Sequence, residues 1–126
     1  MTVSRRQARR QALFLLYQWD LSGQPIGSQY AGEIDPWARG VAESVAELAE
    51  ELDARITGAS EGWTADRLGT VERSALRVAV HELQTGEVPA EVAINEAVAF
   101  TKRYASEDGA RLVNGILGKI QREEAA

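Results

Sequence analysis

Four arginines lie within six residues near the start of this chain, on a protein that is otherwise acidic. They are Arg5, Arg6, Arg9 and Arg10. Residues 1–19 hold these four basic residues and no acidic one, whereas the rest of the chain has 10 Lys and Arg against 19 Asp and Glu. Such a local block is typical of a nucleic-acid contact, an anionic-membrane contact or a targeting peptide, and arginine-rich helix starts are also often plain solvated surface.

The residues around this block have the spacing of an amphipathic helix over about residues 4–20. Its apolar stripe is formed by Ala8, Ala12, Leu15, Leu16 and Trp19. The arginines cover an adjacent arc of roughly 140°, at about 100° per residue, and Tyr17 falls between Arg6 and Arg10. Guanidinium groups bind phosphates, and a phenol ring offers a face on which a base can stack. RNA, with its unstacked bases, is more often bound in this way than duplex DNA.

The targeting and membrane interpretations fit this segment poorly. A mitochondrial presequence is also rich in Arg and poor in acids, but this segment carries Trp19 and a strong apolar stripe and continues into the domain without a linker. The apolar run Ala12–Leu16 is too short for a secretory signal, and no stretch approaches the roughly 20 apolar residues of a membrane span. Basic residues at a helix N-terminus oppose the helix dipole, which favours a functional reason for them.

The composition gives little support to enzymatic chemistry. The chain has 126 residues, enough for one domain over residues 1–126, with no cysteine and a single histidine, His81. Thiolate nucleophiles, disulfides and His-rich zinc sites are therefore excluded. Phosphate-cradling loops of the Gly-x-x-x-x-Gly-Lys type and nucleophile elbows are missing as well. We expect a cytoplasmic protein that is not an enzyme and needs no metal or cofactor.

The pattern along the chain predicts an all-α bundle of six or seven helices and no convincing strand. Asp35-Pro36 is a helix start signal, Thr64 and Thr70 are candidate caps for a short turn and a helix, and Gly86 is a stop. The predicted helices cover residues 4–20, 36–57, 70–84, 89–104 and a last one after Ser106, with a short turn at 65–68, a loop at 23–34 and a fraying tail at 121–126.

Two internal features are unusual for residues with a purely structural role. Glu72 and Glu82 fall within the apolar arc of the helix that begins near Thr70. A carboxylate there either favours the helix dipole or waits at an interface for a basic group of a partner, and the residues alone do not decide between these. Asn114-Gly115 lies inside the last helix, where both residues are unfavourable. A close backbone crossing at Gly115 and a hydrogen bond from Asn114 to another helix would explain the pair.

Several of these segments, taken together, resemble the NusB family of bacterial transcription antitermination factors. The order and spacing match over nearly the whole chain, and the combination of Val92-Ala93-Ile94-Asn95-Glu96-Ala97 with Val113-Asn114-Gly115 is specific. The motifs are Arg6-Gln7-Ala8-Arg9, Leu16-Tyr17-Gln18-Trp19, Leu76-Arg77-Val78-Ala79 with Glu82-Leu83, Val92-Ala93-Ile94-Asn95-Glu96-Ala97 after Val88-Pro89, and Val113-Asn114-Gly115-Ile116-Leu117. The region between Leu21 and Trp63 matches poorly.

The resemblance implies an all-α fold of two packed helical subdomains and a protein without catalytic activity. It also implies binding of the boxA element of nascent or ribosomal RNA, a heterodimer with the ribosomal small-subunit protein NusE, and action within the transcription elongation complex. The RNA-binding residues carried over are Arg5, Arg6, Arg9, Arg10, Tyr17, Asp108, Arg111 and Leu112, where the family often has Phe in place of Leu112. The residues carried over for the protein partner are Tyr17, Asp66, Glu72 and Arg77.

Two other functions remain open at this level. NusB-like domains also resemble the N-terminal domain of some ribosomal-RNA methyltransferases, but such an enzyme needs a cofactor-binding α/β domain after this one. A homodimeric RNA-binding scaffold that uses the first helix as its own interface is the second alternative. Self-association of that kind would hide Tyr17 and compete with RNA.

Overall fold

The computed structural model describes residues 3–125, which form six α-helices and one 3-10 turn, with no β-strand in that range. The prediction of an all-α fold is therefore confirmed. The helices are α1 (Arg5–Ser22), α2 (Pro36–Glu47), α3 (Ala49–Ala59), α4 (Thr70–Thr85), α5 (Ala90–Tyr104) and α6 (Glu107–Ala125), and the 3-10 turn is Ala65–Arg67.

The fourth helix lies at the centre of the molecule. α4 packs against each of the other five helices, and every residue from Ser74 to Val80 is buried. α1, α2 and α3 lie before it in the chain, and α5 and α6 pack against it and against each other. The buried apolar residues of both halves form one continuous cluster, which includes Leu16, Leu76 and Leu117. The helix that joins the two halves thus fixes the position of each relative to the other.

Most helix ends follow local signals in the sequence. Asp35 accepts a hydrogen bond from the Ala38 amide at 3.0 Å, and Pro36 is the first residue of α2. Gly86 ends α4 in the left-handed conformation, with φ of 69°. Ser106 Oγ accepts a hydrogen bond from the Gly109 amide at 2.9 Å at the start of α6. The predicted boundaries at these positions are confirmed.

The prediction of one helix over residues 36–57 is wrong, because the chain leaves helical geometry at Leu48. That residue has φ of −95° and ψ of 10° and separates α2 from α3. Hydrogen bonds still run from the Leu48 amide to Ser44 and from the Leu52 amide to Leu48, at 3.1 and 3.0 Å. The apolar stripe continues across the break, so periodicity alone does not reveal it.

Two smaller predictions are also wrong, and a third is confirmed only in part. Gly69, not Thr70, is the cap of α4. Thr64 is the N-cap residue of the 3-10 turn, as predicted, but its side chain makes no capping hydrogen bond. Residues 121–125 of the tail, expected to fray, are helical, whereas residue 126 lies outside the described residues. The end of α6 is tied to α3 by an ion pair of 2.8 Å between Arg55 Nη1 and Glu124 Oε1.

Candidate nucleic-acid interface

The first helix directs three of its four arginines towards solvent. α1 begins with a capping box, in which Ser4 Oγ accepts from the Gln7 amide at 3.1 Å and Gln7 Oε1 accepts from the Ser4 amide at 3.0 Å. The apolar residues on one side of the helix are buried in the core. Because that side is fixed, Arg5, Arg6 and Arg10 are exposed on the other. We call these three residues the α1 arginine face.

Two residues of the α1 arginine face have neighbours that hold them close to the helix. The guanidinium carbon of Arg5 lies 4.1 Å from the centroid of the Trp37 ring. Arg6 Nε donates to Glu96 Oε1 at 2.9 Å, although 70% of the Arg6 side chain is exposed. Exposed contacts of these kinds stabilise by only about 1 kcal/mol or less. Both guanidinium groups therefore remain available to a phosphate.

Arg9 does not belong to the exposed face with which the sequence grouped it. Its side chain is only 5% exposed and pairs with the equally buried Glu82 of α4. Arg9 Nε donates to the two carboxylate oxygens of Glu82 at 3.0 and 3.1 Å. Burial raises the pKa of Glu82, and the hydrogen bond and charge of Arg9 act against that rise. Arg9 is thus an internal link between α1 and α4, and its partner explains why Glu82 lies among apolar residues.

The sequence contained a signal for the burial of Arg9. At about 100° per residue, Arg9 lies roughly 20° from Leu16 on one side and roughly 40° from Leu13 on the other. Both leucines are buried, so the buried sector of α1 is wider than the predicted stripe and includes Arg9. Which carboxylate neutralises it depends on a residue 73 positions away.

The other residues carried over for RNA lie on two helices. Tyr17 of α1 is half-buried. Asp108 and Arg111, in the first turns of α6, are exposed and form an ion pair with each other. Leu112 is half-buried and packs against the hydrophobic core. The start of α6 therefore presents a self-neutralised pair beside an apolar side chain, unlike the purely cationic α1 arginine face.

Glu72 lies where α4 and α6 both begin. A Cβ built on Gly69 would be 2.9 Å from both Glu72 carboxylate oxygens, and one built on Gly109 would be 3.3 Å from Glu72 Cδ. Two glycines thus leave room for this half-buried carboxylate, and helix N-termini favour negative charge. Nearby Asp66 is fully exposed, and a hydrogen bond from Thr64 is the main cause that lowers its pKa. Within residues 3–125, neither carboxylate has a basic group within 4.0 Å.

Arg77, which was also carried over for the protein partner, is not on the surface. Its side chain is 7% exposed, and its Nε and Nη2 donate to the two oxygens of Asp53 at 2.8 and 2.7 Å. Nη1 lies 3.7 Å from Asp20 Oδ1. Burial lowers the pKa of Arg77, but the hydrogen bond and charge of Asp53, together with Asp20, outweigh it and the pKa is raised. Arg77 joins α4 to α1 and α3, which leaves no guanidinium for a partner protein.

Asn114-Gly115 also differs from expectation. Both residues are exposed, and a Cβ built on Gly115 would meet no atom within 4 Å. No backbone crosses α6 closely at this glycine, so the predicted close helix crossing is wrong. The side chain of Asn114 points to an open groove between α5 and α6 that also includes Asn95.

The last turn of α5 was not predicted as part of the site, although Lys102, Arg103 and Tyr104 are exposed there beside the α1 arginine face. Basic residues in the last turn of a helix are common because they complement its dipole. Because this local role explains them, nothing within α5 itself indicates that they lie beside α1. Their proximity to α1 depends on tertiary packing, in which the Tyr104 and Phe14 rings have centroids 5.1 Å apart.

Other classes of site find little support in this part of the chain. Over residues 3–125, no group of three or more His, Cys, Asp or Glu side chains is arranged to hold a metal ion. None of the helices described there combines the length and apolar character needed to cross a membrane.

Comparison with protein families gives one clear result. Residues 6–122 match the model of the NusB family. A transcription antitermination protein NusB of Rubrobacter xylanophilus is 43% identical over 122 residues, covering 91% of this chain and 88% of that protein. The NusB of Salinispora tropica is 38% identical over 128 residues, covering 93% and 94%.

Solved structures give the same result at the level of the fold. T. maritima NusB superposes with a TM-score of 0.86 at 29% identity, covering all of this chain and 96% of that one. A crystal structure of antitermination factors NusB and NusE in complex with dsRNA matches with a TM-score of 0.82 at 30% identity, covering 94% and 96%.

Proposed function

This chain belongs to the NusB family, and from that membership we propose that it is a non-catalytic transcription antitermination factor. It binds boxA-type single-stranded RNA together with NusE, as part of the transcription elongation complex, and supports processive transcription of ribosomal RNA operons. Its residues 1–126 act as one RNA-binding unit. Because its target is the nascent transcript, the protein works in the bacterial cytoplasm.

The observation that carries this proposal is the α1 arginine face. Arg5, Arg6 and Arg10 are exposed together on one side of a capped helix, while the whole chain has a net charge of −5. Elsewhere the acidic surface repels a polyanion, so phosphates are attracted to this side. Tyr17 and the start of α6, with Asp108, Arg111 and Leu112, complete the proposed RNA surface. Arg9 is left out because its side chain is buried and paired with Glu82.

For NusE we propose the surface around Glu72 and Asp66. These carboxylates lie at the start of α4 and on the turn before it, and neither is neutralised within the described residues. An interface that brings a lysine or arginine to Glu72 would complete an ion pair that the isolated chain leaves open. Tyr17 remains a candidate at the boundary of the RNA and NusE surfaces, whereas Arg77 is withdrawn because it is buried.

The test is RNA binding by the chain alone and with NusE, at several salt concentrations. We expect the double variant Arg6→Ala/Arg10→Ala to weaken binding of a labelled single-stranded boxA RNA and to flatten its salt dependence. Each lost phosphate contact reduces the log–log slope by about 0.7 for single strands. Fluorescence anisotropy measures both quantities.

The matched control removes two cations elsewhere, with Lys119→Ala/Arg122→Ala near the end of α6. That variant lowers the net charge equally, so a specific α1 surface requires a clearly smaller loss in the control. A duplex RNA of the same sequence distinguishes single-strand from double-strand preference, which matters because a related complex contains dsRNA. An unchanged salt slope in the α1 variant would contradict the assignment of this face.

A further inference from the structure

A groove runs between α1 and α5 beside the α1 arginine face. Its volume is about 360 Å³. Leu13 and Phe100, both buried, form part of its floor. Apart from Arg9, which is buried and paired with Glu82, the polar and aromatic side chains around it are Arg6, Arg10, Glu96, Lys102, Arg103 and Tyr104. Four of these six are cations, drawn equally from two helices that are far apart in sequence.

The cations of this groove are accessible to a ligand. The Lys102 side chain is 63% exposed, and its only carboxylate within 4.0 Å among residues 3–125 is that of Glu107, with Nζ 3.7 Å from Oε1. Arg10 and Arg103 are exposed as well. The one carboxylate that lines the groove, Glu96, is paired with Arg6 at 2.9 Å. Positive charge therefore exceeds negative charge along the groove, in a molecule that is acidic overall.

Tyr104 offers a rigid aromatic surface at the end of α5. Its ring is in a T-shaped contact with Phe14, at a centroid distance of 5.1 Å, and in a tilted contact with Phe100 at 4.9 Å. These contacts fix the ring while 38% of the residue stays exposed. The Arg103 guanidinium carbon lies 5.5 Å from the same ring. A fixed ring next to cations is the combination that single-stranded nucleic-acid sites use, with bases stacked on aromatics and phosphates on basic groups.

The position of the groove connects two surfaces that the sequence indicated separately. α5 ends at Tyr104, and α6 begins at Glu107 after only two residues. The last turn of α5 therefore lies between the α1 arginine face and the start of α6. A strand bound to both of those surfaces would pass over this turn.

We propose that the α1–α5 groove binds a segment of single-stranded RNA, with phosphates on Arg6, Arg10, Lys102 and Arg103 and one base stacked on Tyr104. The inference rests on the proposed function and adds to it a binding surface on α5. Sequence-independent contacts dominate this segment, because the groups involved are cations and one ring face.

The test compares two double variants in the full chain, alone and with NusE, on one labelled single-stranded boxA RNA. Lys102→Ala/Arg103→Ala removes two exposed cations of the groove, and Lys119→Ala/Arg122→Ala is the charge-matched control. We expect the α5 variant to bind at least tenfold more weakly than the control, with a salt slope reduced by up to about 1.4 for two phosphate contacts.

Two further variants examine the base stack and the carboxylate. Tyr104→Leu should lose about fivefold or more in affinity, as expected for a lost base stack, while Tyr104→Phe keeps the ring and the affinity. Melting temperatures show whether Tyr104→Leu has disturbed the contacts with Phe14. Glu96→Gln removes the negative charge from the groove and should raise affinity by up to about fivefold, the range of an exposed ion pair.

The outcomes separate this inference from the proposed function. If Arg6→Ala/Arg10→Ala weakens RNA binding but the α5 variant behaves like its control, the groove proposal is overturned and the proposed function stands. If the wild-type chain with NusE binds no boxA RNA, the proposed function fails first. Photo-crosslinking of a thiouridine-substituted RNA to the peptide that contains Tyr104 would support the groove independently of any substitution, and crosslinks confined to other helices would count against it.

Discussion

At the scale of single residues, the buried pair of Arg9 and Glu82 shows how one contact changes the meaning of a motif. From the sequence, Arg9 is one of four arginines of α1 that were predicted to bind RNA. In the structure it is enclosed, and its charge is balanced by a carboxylate of α4. Removing one partner of a buried ion pair typically costs about 3–5 kcal/mol, because the other charge stays buried without compensation.

We therefore predict that Arg9→Ala destabilises the fold and that the loss depends on pH. Burial already raises the pKa of Glu82 above its usual value, and removal of the Arg9 hydrogen bond should raise it further. A carboxyl that holds its proton more tightly when folded makes the protein less stable as pH rises through the folded pKa. The destabilisation should be about 3–5 kcal/mol near neutral pH and smaller in mild acid, as measured by chemical denaturation.

Its control is the double variant Arg9→Ala/Glu82→Gln, which removes the buried charge and should lose most of this added pH dependence. A fully stable Arg9→Ala chain that binds RNA weakly at neutral pH would instead return Arg9 to the RNA surface.

At the scale of elements, α6 carries a glycine that its own packing does not require. Gly115 lies within the helix, and a Cβ there would meet nothing within 4 Å. The unfavourable Asn-Gly pair is thus left on an open surface, beside the groove between α5 and α6. By contrast, Gly86 has φ of 69° at the end of α4, where the left-handed conformation requires glycine.

These two glycines make a matched pair of predictions with opposite signs. Gly115→Ala should stabilise the protein by about 0.5–1 kcal/mol, through higher helix propensity and a less flexible unfolded chain. Gly86→Ala should destabilise it by about 1–2 kcal/mol, because the left-handed conformation strains an alanine. Urea denaturation of both variants gives the two values. A loss of stability in Gly115→Ala would show that α6 is packed more tightly at this glycine than the structure indicates.

At the scale of the whole molecule, the exposed cations and the open carboxylates lie on different elements. The α1 arginine face is cationic, whereas the open carboxylates lie just before α4, at Asp66, and in its first turn, at Glu72. A factor built in this way can bind an RNA and a basic protein surface at the same time.

We predict that Glu72→Lys weakens pairing with NusE by at least tenfold, about 1.4 kcal/mol, and does not weaken RNA binding by the chain alone, because the substitution adds a positive charge towards a polyanion. Glu72→Gln keeps the shape of the side chain between its two glycines. It should show a smaller loss of affinity for NusE, and it serves as a control for misfolding. Calorimetry with purified NusE measures the first effect, and anisotropy with RNA the second. Normal pairing of both variants with NusE would move the partner surface elsewhere.

The sequence by itself determined what depends on near neighbours along the chain. Apolar periodicity, caps such as Ser106 and stops such as Gly86 predicted the helices, and the order of motifs identified the family. Arg6 and Arg10 were correctly placed on an exposed face, because a helix fixes directions over a few turns.

Only the tertiary structure decided which charges are paired inside. Arg9 pairs with Glu82, Arg77 pairs with Asp53, and Tyr104 of α5 packs on Phe14 of α1 beside the α1–α5 groove. The break at Leu48 and the open surface at Gly115 were also not predictable from local sequence, since the local pattern of residues continues across both positions. The physical reason is that burial and ion pairing are set by residues distant in sequence, so whether an arginine faces a phosphate or a buried carboxylate is decided when the helices pack.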